Sequence, residues 1–92
     1  MANVKINISN RASNLNPRQI RTSGFLPGSI YGKGMEAVSI QLNTHEFELL
    51  YKNNRESTWE LKLDDKIYTA KIQELQVNHS TGQFLNVEFL TV

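Results

Sequence analysis

The constraint that most narrows what this chain can become is a period-two alternation of apolar and polar residues that recurs at intervals along its length. Val4, Ile6 and Ile8 alternate with Lys5, Asn7 and Ser9; Val38, Ile40 and Leu42 fall on one face of a later stretch; Trp59, Leu61 and Leu63 alternate with Glu60, Lys62 and Asp64. Each such run is a strand that must bury one face. In 92 residues with no cysteine, neither disulfides nor thiolate metal sites can substitute for a core, and a second core would leave each half too small. One domain spanning residues 1–92 is therefore expected. With 39% apolar and 21% charged residues the composition is that of a chain that folds.

Between the strands lie two helix signals. Asn16-Pro17 supplies a cap and a proline at the first helical position, and a short helix from Pro17 to Ser23 would end at Gly24. Asn43-Thr44-His45-Glu46 opens a second helix running to about Asn53. Phe25-Leu26-Pro27-Gly28 reads as a turn, Ser29-Ile30-Tyr31 as a short strand, and Gly32-Lys33-Gly34 as its end. Asp64-Asp65 reads as a hairpin turn, followed by strands over Ile67 to Val77 and Phe84 to Val92. Six strands with two short helices predict a mainly β fold, a six-stranded β-barrel. Its expected core includes Val4, Ile6, Ile8, Ile30, Val38, Ile40, Leu61, Ile67, Ile72, Leu85, Val87 and Phe89, with Trp59 beside them.

Charge is distributed unevenly along this frame. Residues 1–35 carry Lys5, Arg11, Arg18, Arg21 and Lys33 and no acid, a charge of +5, whereas the remainder carries −4. That asymmetry fits a phosphate-bearing partner met by one side of the molecule; ordinary solvated surface is the competing explanation. Arg18 and Arg21, three apart on the first helix, would project from one side as a basic fork. Residues 9–16 are polar and aperiodic, so they are expected to be mobile in the free protein, with Arg11 gaining a phosphate when ordered. Enzymatic chemistry is poorly supplied. His45 and His79 lie in different segments, no phosphate-binding loop is present, and Glu74 and Glu88 are better read as surface carboxylates than as an acid–base pair. Neither a cofactor nor a metal site is expected. The N-terminal stretch is too polar for a signal peptide or a membrane span, so a cytoplasmic protein is expected.

The run Arg18-Gln19-Ile20-Arg21, then Gly24-Phe25-Leu26-Pro27-Gly28-Ser29-Ile30-Tyr31-Gly32, resembles the bacterial ribosomal protein L twenty-five family, whose members include the N-terminal domain of the general stress protein called CTC. Lys71, Gln73, Glu74 and Gln76, and Glu88-Phe89 near the end, extend the resemblance over essentially the whole chain. It implies a six-stranded barrel similar to the anticodon-binding barrel of glutaminyl-tRNA synthetase, and a structural role in the large ribosomal subunit through binding of 5S rRNA. By the same resemblance Arg18 and Arg21 would contact the RNA backbone, Tyr31 would lie against the groove, and Gln73, Glu74, Asn86 and Glu88 would face bases or bound water. Arg11 and Lys33 complete the expected RNA-binding set, and a monomer is expected in the absence of RNA. Gln19 stands where the family tends to place a second arginine. The alternative function is a non-catalytic, stress-related interaction module of the same fold with a weakened RNA site.

Overall fold

The computed structural model describes residues 3–12, 14–54 and 56–92. Eight elements follow one another: β1 (Asn3–Asn10), α1 (Pro17–Thr22), β2 (Phe25–Gly32), β3 (Met35–Asn43), α2 (Thr44–Tyr51), β4 (Thr58–Leu63), β5 (Lys66–Val77) and β6 (Phe84–Thr91). The six strands form one closed barrel in the order β1-β3-β2-β6-β5-β4. Closure removes the unpaired edges that a half-buried sheet of this size would otherwise expose. Two junctions are parallel, β1 with β4 and β2 with β6, and the other four are antiparallel.

Alternation carries the side chains of Val4, Ile6, Ile8, Ile30, Ile40, Leu42, Trp59, Leu61, Leu63, Ala70, Val87 and Phe89 into the barrel. Phe47, from α2, is fully buried with them, 5.3 Å from the Trp59 ring and edge-on to Phe84 and Phe89. The helix therefore adds an aromatic plug to a core that the strands alone would leave thin. Asn43 caps α2 by accepting the Glu46 N–H, as its spacing led one to expect. Val38 and Ile72 are half-buried against this core, and Leu85 is half-buried.

Two expectations fail. Phe25 to Gly28 is not a turn but the first half of β2, which pairs with β3 from Phe25↔Asn43 onward. Proline is tolerated there because pairing with β6 begins only at Gly28, so Pro27 faces one neighbouring strand. Gly28 is needed for a different reason: a Cβ at this position would sit 2.5 Å from the Val87 carbonyl oxygen. The backbones of β2 and β6 approach too closely for any side chain.

Ile67 is the second failure, since it is 63% exposed rather than in the core. Tyr68, Ala70 and Ile72 point inward from β5, which leaves Ile67 on the opposite phase. Ile67 and Ile72 are five positions apart, an odd offset, so the two cannot share a face of one regular strand. The hairpin ahead of Ile67 is as expected: Leu63 pairs with Lys66, and Asp64 adopts φ 52° to make the turn.

Candidate nucleic-acid interface

The decisive local feature of β5 is a bulge. Ile72 pairs with Phe89, but the next pair is Glu74 with Glu88, so Gln73 is an extra residue without a partner on β6. Beyond it the inward phase changes from even to odd positions, and Leu75 becomes half-buried against the core. Gln73 and Glu74 are both exposed as a result. A regular strand would turn one of them inward.

Strand registers then set out a transverse row on the outer surface. The Arg11 N–H donates to the Ser39 carbonyl at 3.2 Å, Ser39 pairs with Ser29, Ser29 with Glu88, and Glu88 with Glu74. At roughly 4.8 Å per strand this row spans about 19 Å. Gln76 pairs with Asn86 on one side of it, while Tyr31 pairs with Leu90, and Leu90 with Lys71, on the other. Tyr31 is half-buried on this outer face, next to the inward-facing Ile30, and is not a core ring. Its hydroxyl lies close to the Glu88 carboxylate, and Glu74 is also near enough to act on it. Partial desolvation first, and the Glu88 and Glu74 charges second, hold the phenol above its ordinary value of about 10.

Cations frame the row rather than occupy it. The Asn16 side chain accepts the Gln19 N–H and the Gln19 side chain accepts the Asn16 N–H, both at 2.9 Å, which closes a capping box and fixes the start of α1. Ile20 is fully buried and α1 packs on β2, while Arg21 Nη1 donates to the Leu85 carbonyl at 3.2 Å. That bond ties the helix to the start of β6, one residue from Asn86. Arg18 is exposed one turn away, so the two arginines form a fork with one prong anchored and one free of the protein surface. Lys33 sits at the tip of the β2–β3 hairpin, where Gly32 pairs with Met35. The eight residues of β2, about 26 Å of strand, separate it from the α1 end. Among the described residues the ion pair formed is Lys5–Glu60, and Arg11, Arg18, Arg21 and Lys33 take no part in it.

The arrangement thus has acceptors at its centre and cations at its margins. The family model for the Ribosomal L25p family matches residues 6–89 of this sequence. The chain belongs to that family. Among curated relatives, the large ribosomal subunit protein bL25 of Ehrlichia chaffeensis is 37% identical over 90 residues, 94% of this chain and 43% of the relative. Large ribosomal subunit proteins bL25 of Helicobacter acinonychis and Helicobacter pylori strain J99 are each 31% identical over 77 residues, 84% of this chain and 43% of theirs. The chain spans less than half the length of these relatives.

Within this member of the L25p family, the residues named from sequence divide into three groups. Tyr31, Glu74 and Glu88 come together in one cluster, with Gln73 and Asn86 beside it. Arg18 and Arg21 border one end, whereas Lys33 lies at the other. Arg11 is three strands removed from Glu88 and reaches the row through Ser39. Ser29, Ser39 and Gln41 on the same surface were not singled out from sequence, because nothing about an isolated serine or glutamine marks it until strand register places it in a row. None of the helices among the described residues is long and apolar enough to cross a membrane.

Proposed function

We propose that this chain is an RNA-binding domain of the large ribosomal subunit, acting on the ribosome in the cytoplasm without catalysis, and that its ligand is 5S rRNA. The observation that carries the reading is the outer row of β3, β2, β6 and β5, with hydrogen-bonding side chains at its centre and Arg11, Arg18, Arg21 and Lys33 around it. The names of the relatives, large ribosomal subunit proteins, support the assembly. Marginal cations neutralise backbone phosphates and set orientation, whereas acceptors such as Glu74 and Glu88 suit base amino groups and 2′-hydroxyls. An RNA duplex offers these in a wide, shallow minor groove, which a nearly continuous convex sheet can enter.

A second reading, an interaction module with a weakened RNA site, draws on two observations. Gln19 is engaged in the capping box, and one Arg21 N–H is already used on Leu85. Gel-shift of the purified chain against 5S rRNA and against an unrelated duplex, at two salt concentrations, separates the two. A preference for 5S rRNA that survives the higher salt is expected; equal retention of both RNAs would favour the interaction module.

A further inference from the structure

The path from β1 to α1 is held by a side chain as well as by backbone. The Arg11 N–H continues the ladder onto β3 by donating to the Ser39 carbonyl, but the next N–H, that of Ala12, donates to the side-chain carbonyl Oε1 of Gln41 at 3.1 Å. Gln41 and Ser39 are two apart on β3 and both side chains belong to its outer face, opposite the buried Ile40 and Leu42. One strand therefore grips two successive residues, one by main chain and one by side chain. Downstream, the Leu15 N–H returns to the Ala12 carbonyl and Asn16 caps α1. The Leu15 bond depends directly on where Ala12 is placed. The Gln41 amide is half-buried, so the bond is partly shielded from competing water.

We propose that Gln41 is a positioning residue for RNA binding: by fixing the Ala12 backbone it presents Arg11 at the β3 end of the row formed by Ser39, Ser29, Glu88 and Glu74. The role rests on the reading of that face as the RNA surface. Gln41 itself need not touch RNA. Without the acceptor, Ala12 loses its partner and the chain after Arg11 gains conformational freedom, so Arg11, held then on its N-terminal side alone, engages a phosphate only after the segment is ordered again.

The test is a double-mutant cycle of Arg11→Gln with Gln41→Met, which keeps the length of the side chain and removes the acceptor, and with Gln41→Glu, which keeps an acceptor. Amide hydrogen exchange at Ala12, read without RNA, should accelerate in Gln41→Met and stay slow in Gln41→Glu. Against 5S rRNA, Arg11→Gln in the wild-type background should weaken binding on the order of fivefold and lower the salt slope by roughly 0.9, the value of one phosphate contact on duplex DNA. In the Gln41→Met background the same change should cost less than about twofold, whereas in Gln41→Glu its full effect should persist, because the added charge is common to both members of that comparison. An undiminished Arg11 effect in Gln41→Met would overturn the positioning role while leaving the RNA face intact. If the wild-type chain shows no preference for 5S rRNA, both readings fall together.

Discussion

The barrel has two parallel junctions, and their outer faces treat charge in opposite ways. On the β1–β4 face, Lys5 stands in register with Glu60 and pairs with it at 3.9 Å. On the β2–β6 face and its β5 extension, the residues in register are Glu88 and Glu74, two acids, with the cations displaced to the margins. Opposite charges across strands stabilise a sheet, and like charges directly opposite destabilise it. On the first face opposite charges meet in register; the second is arranged against its own stability, as surfaces that await a partner commonly are.

The largest effect should come from removing the marginal cations. Replacing Arg18 and Arg21 together by glutamine is expected to lower 5S rRNA affinity on the order of a hundredfold and to reduce the slope of log affinity against log salt by roughly 1.8, two phosphate contacts on the duplex DNA scale. Lys62→Gln with Lys66→Gln, in the more acidic part of the chain, should change affinity less than about twofold. A salt titration of both double variants decides the matter. Equal losses would place the RNA surface on the wrong side of the barrel.

Stability should distinguish the junctions next. Gly28→Ala forces a Cβ against the Val87 carbonyl oxygen and, at 2.9 Å, against Val87 Cγ1, so β2 and β6 must separate. Overpacking of this kind costs roughly 1–3 kcal/mol, and in a domain of this size each kcal/mol lowers Tm by about 4–8 °C. Thermal unfolding followed by circular dichroism should show that loss, together with weaker 5S rRNA binding, because the same separation shifts Glu88 relative to Tyr31. An unchanged Tm would mean that the junction has slack that the close approach denies.

Much of the frame was legible from alternation alone, since the inside of a small barrel takes every second residue and β1, β4 and β6 are regular. The failures trace to places where regularity stops. Pro27 and Gly28 have turn propensity, yet the closeness of β6 requires a glycine in mid-strand, and local preference cannot report a neighbour that is nearly sixty residues away. Ile67 escapes a reading by alternation because a bulge further along β5 allows inward residues on both phases of one strand, so its apolar pattern has no single period. For the site, the acid-free basic half and the arginine spacing were visible, and Tyr31, Glu74 and Glu88 entered through family resemblance. Their meeting in one cluster was not visible, because it depends on the β2–β6 register and on the extra residue Gln73. Gln41 carried no signal at all, since its role lies in a hydrogen bond to a loop 29 positions away.

The Tyr31 phenol offers a spectroscopic view of the acidic cluster. Desolvation and the two carboxylates raise its pKa, so the folded value exceeds the unfolded value of about 10. The stabilisation from the protonated phenol is therefore fully present below the unfolded value and is lost as pH rises through the folded one. Ultraviolet titration, with Tyr31→Phe as the blank, should give a midpoint above 10 for this residue. Glu88→Gln removes a neighbouring negative charge and should bring the midpoint part of the way down, leaving the contributions of desolvation and of the Glu74 charge. A midpoint indifferent to Glu88 would mean that the cluster is not coupled as its register indicates.

The smallest expected effect is also the most direct comparison of the two faces, because it asks for a difference in sign. Glu74→Gln removes one of two like charges in register and should stabilise the free protein by about 0.2–1 kcal/mol. Glu60→Gln removes the partner of Lys5 and should destabilise it, by about 0.2–0.5 kcal/mol, since that pair is partly exposed and an exposed pair is worth little. Urea unfolding at low and high salt measures both, and salt should shrink the two changes toward zero, because screening acts on repulsion and attraction alike. Glu74→Gln should at the same time weaken discrimination between 5S rRNA and an unrelated duplex, as a neutral amide both donates and accepts where a carboxylate only accepts. A gain in stability without any loss of discrimination would show the opposed carboxylates to be a tolerated flaw of the sheet. A gain accompanied by that loss would show that the repulsion is kept because the RNA relieves it.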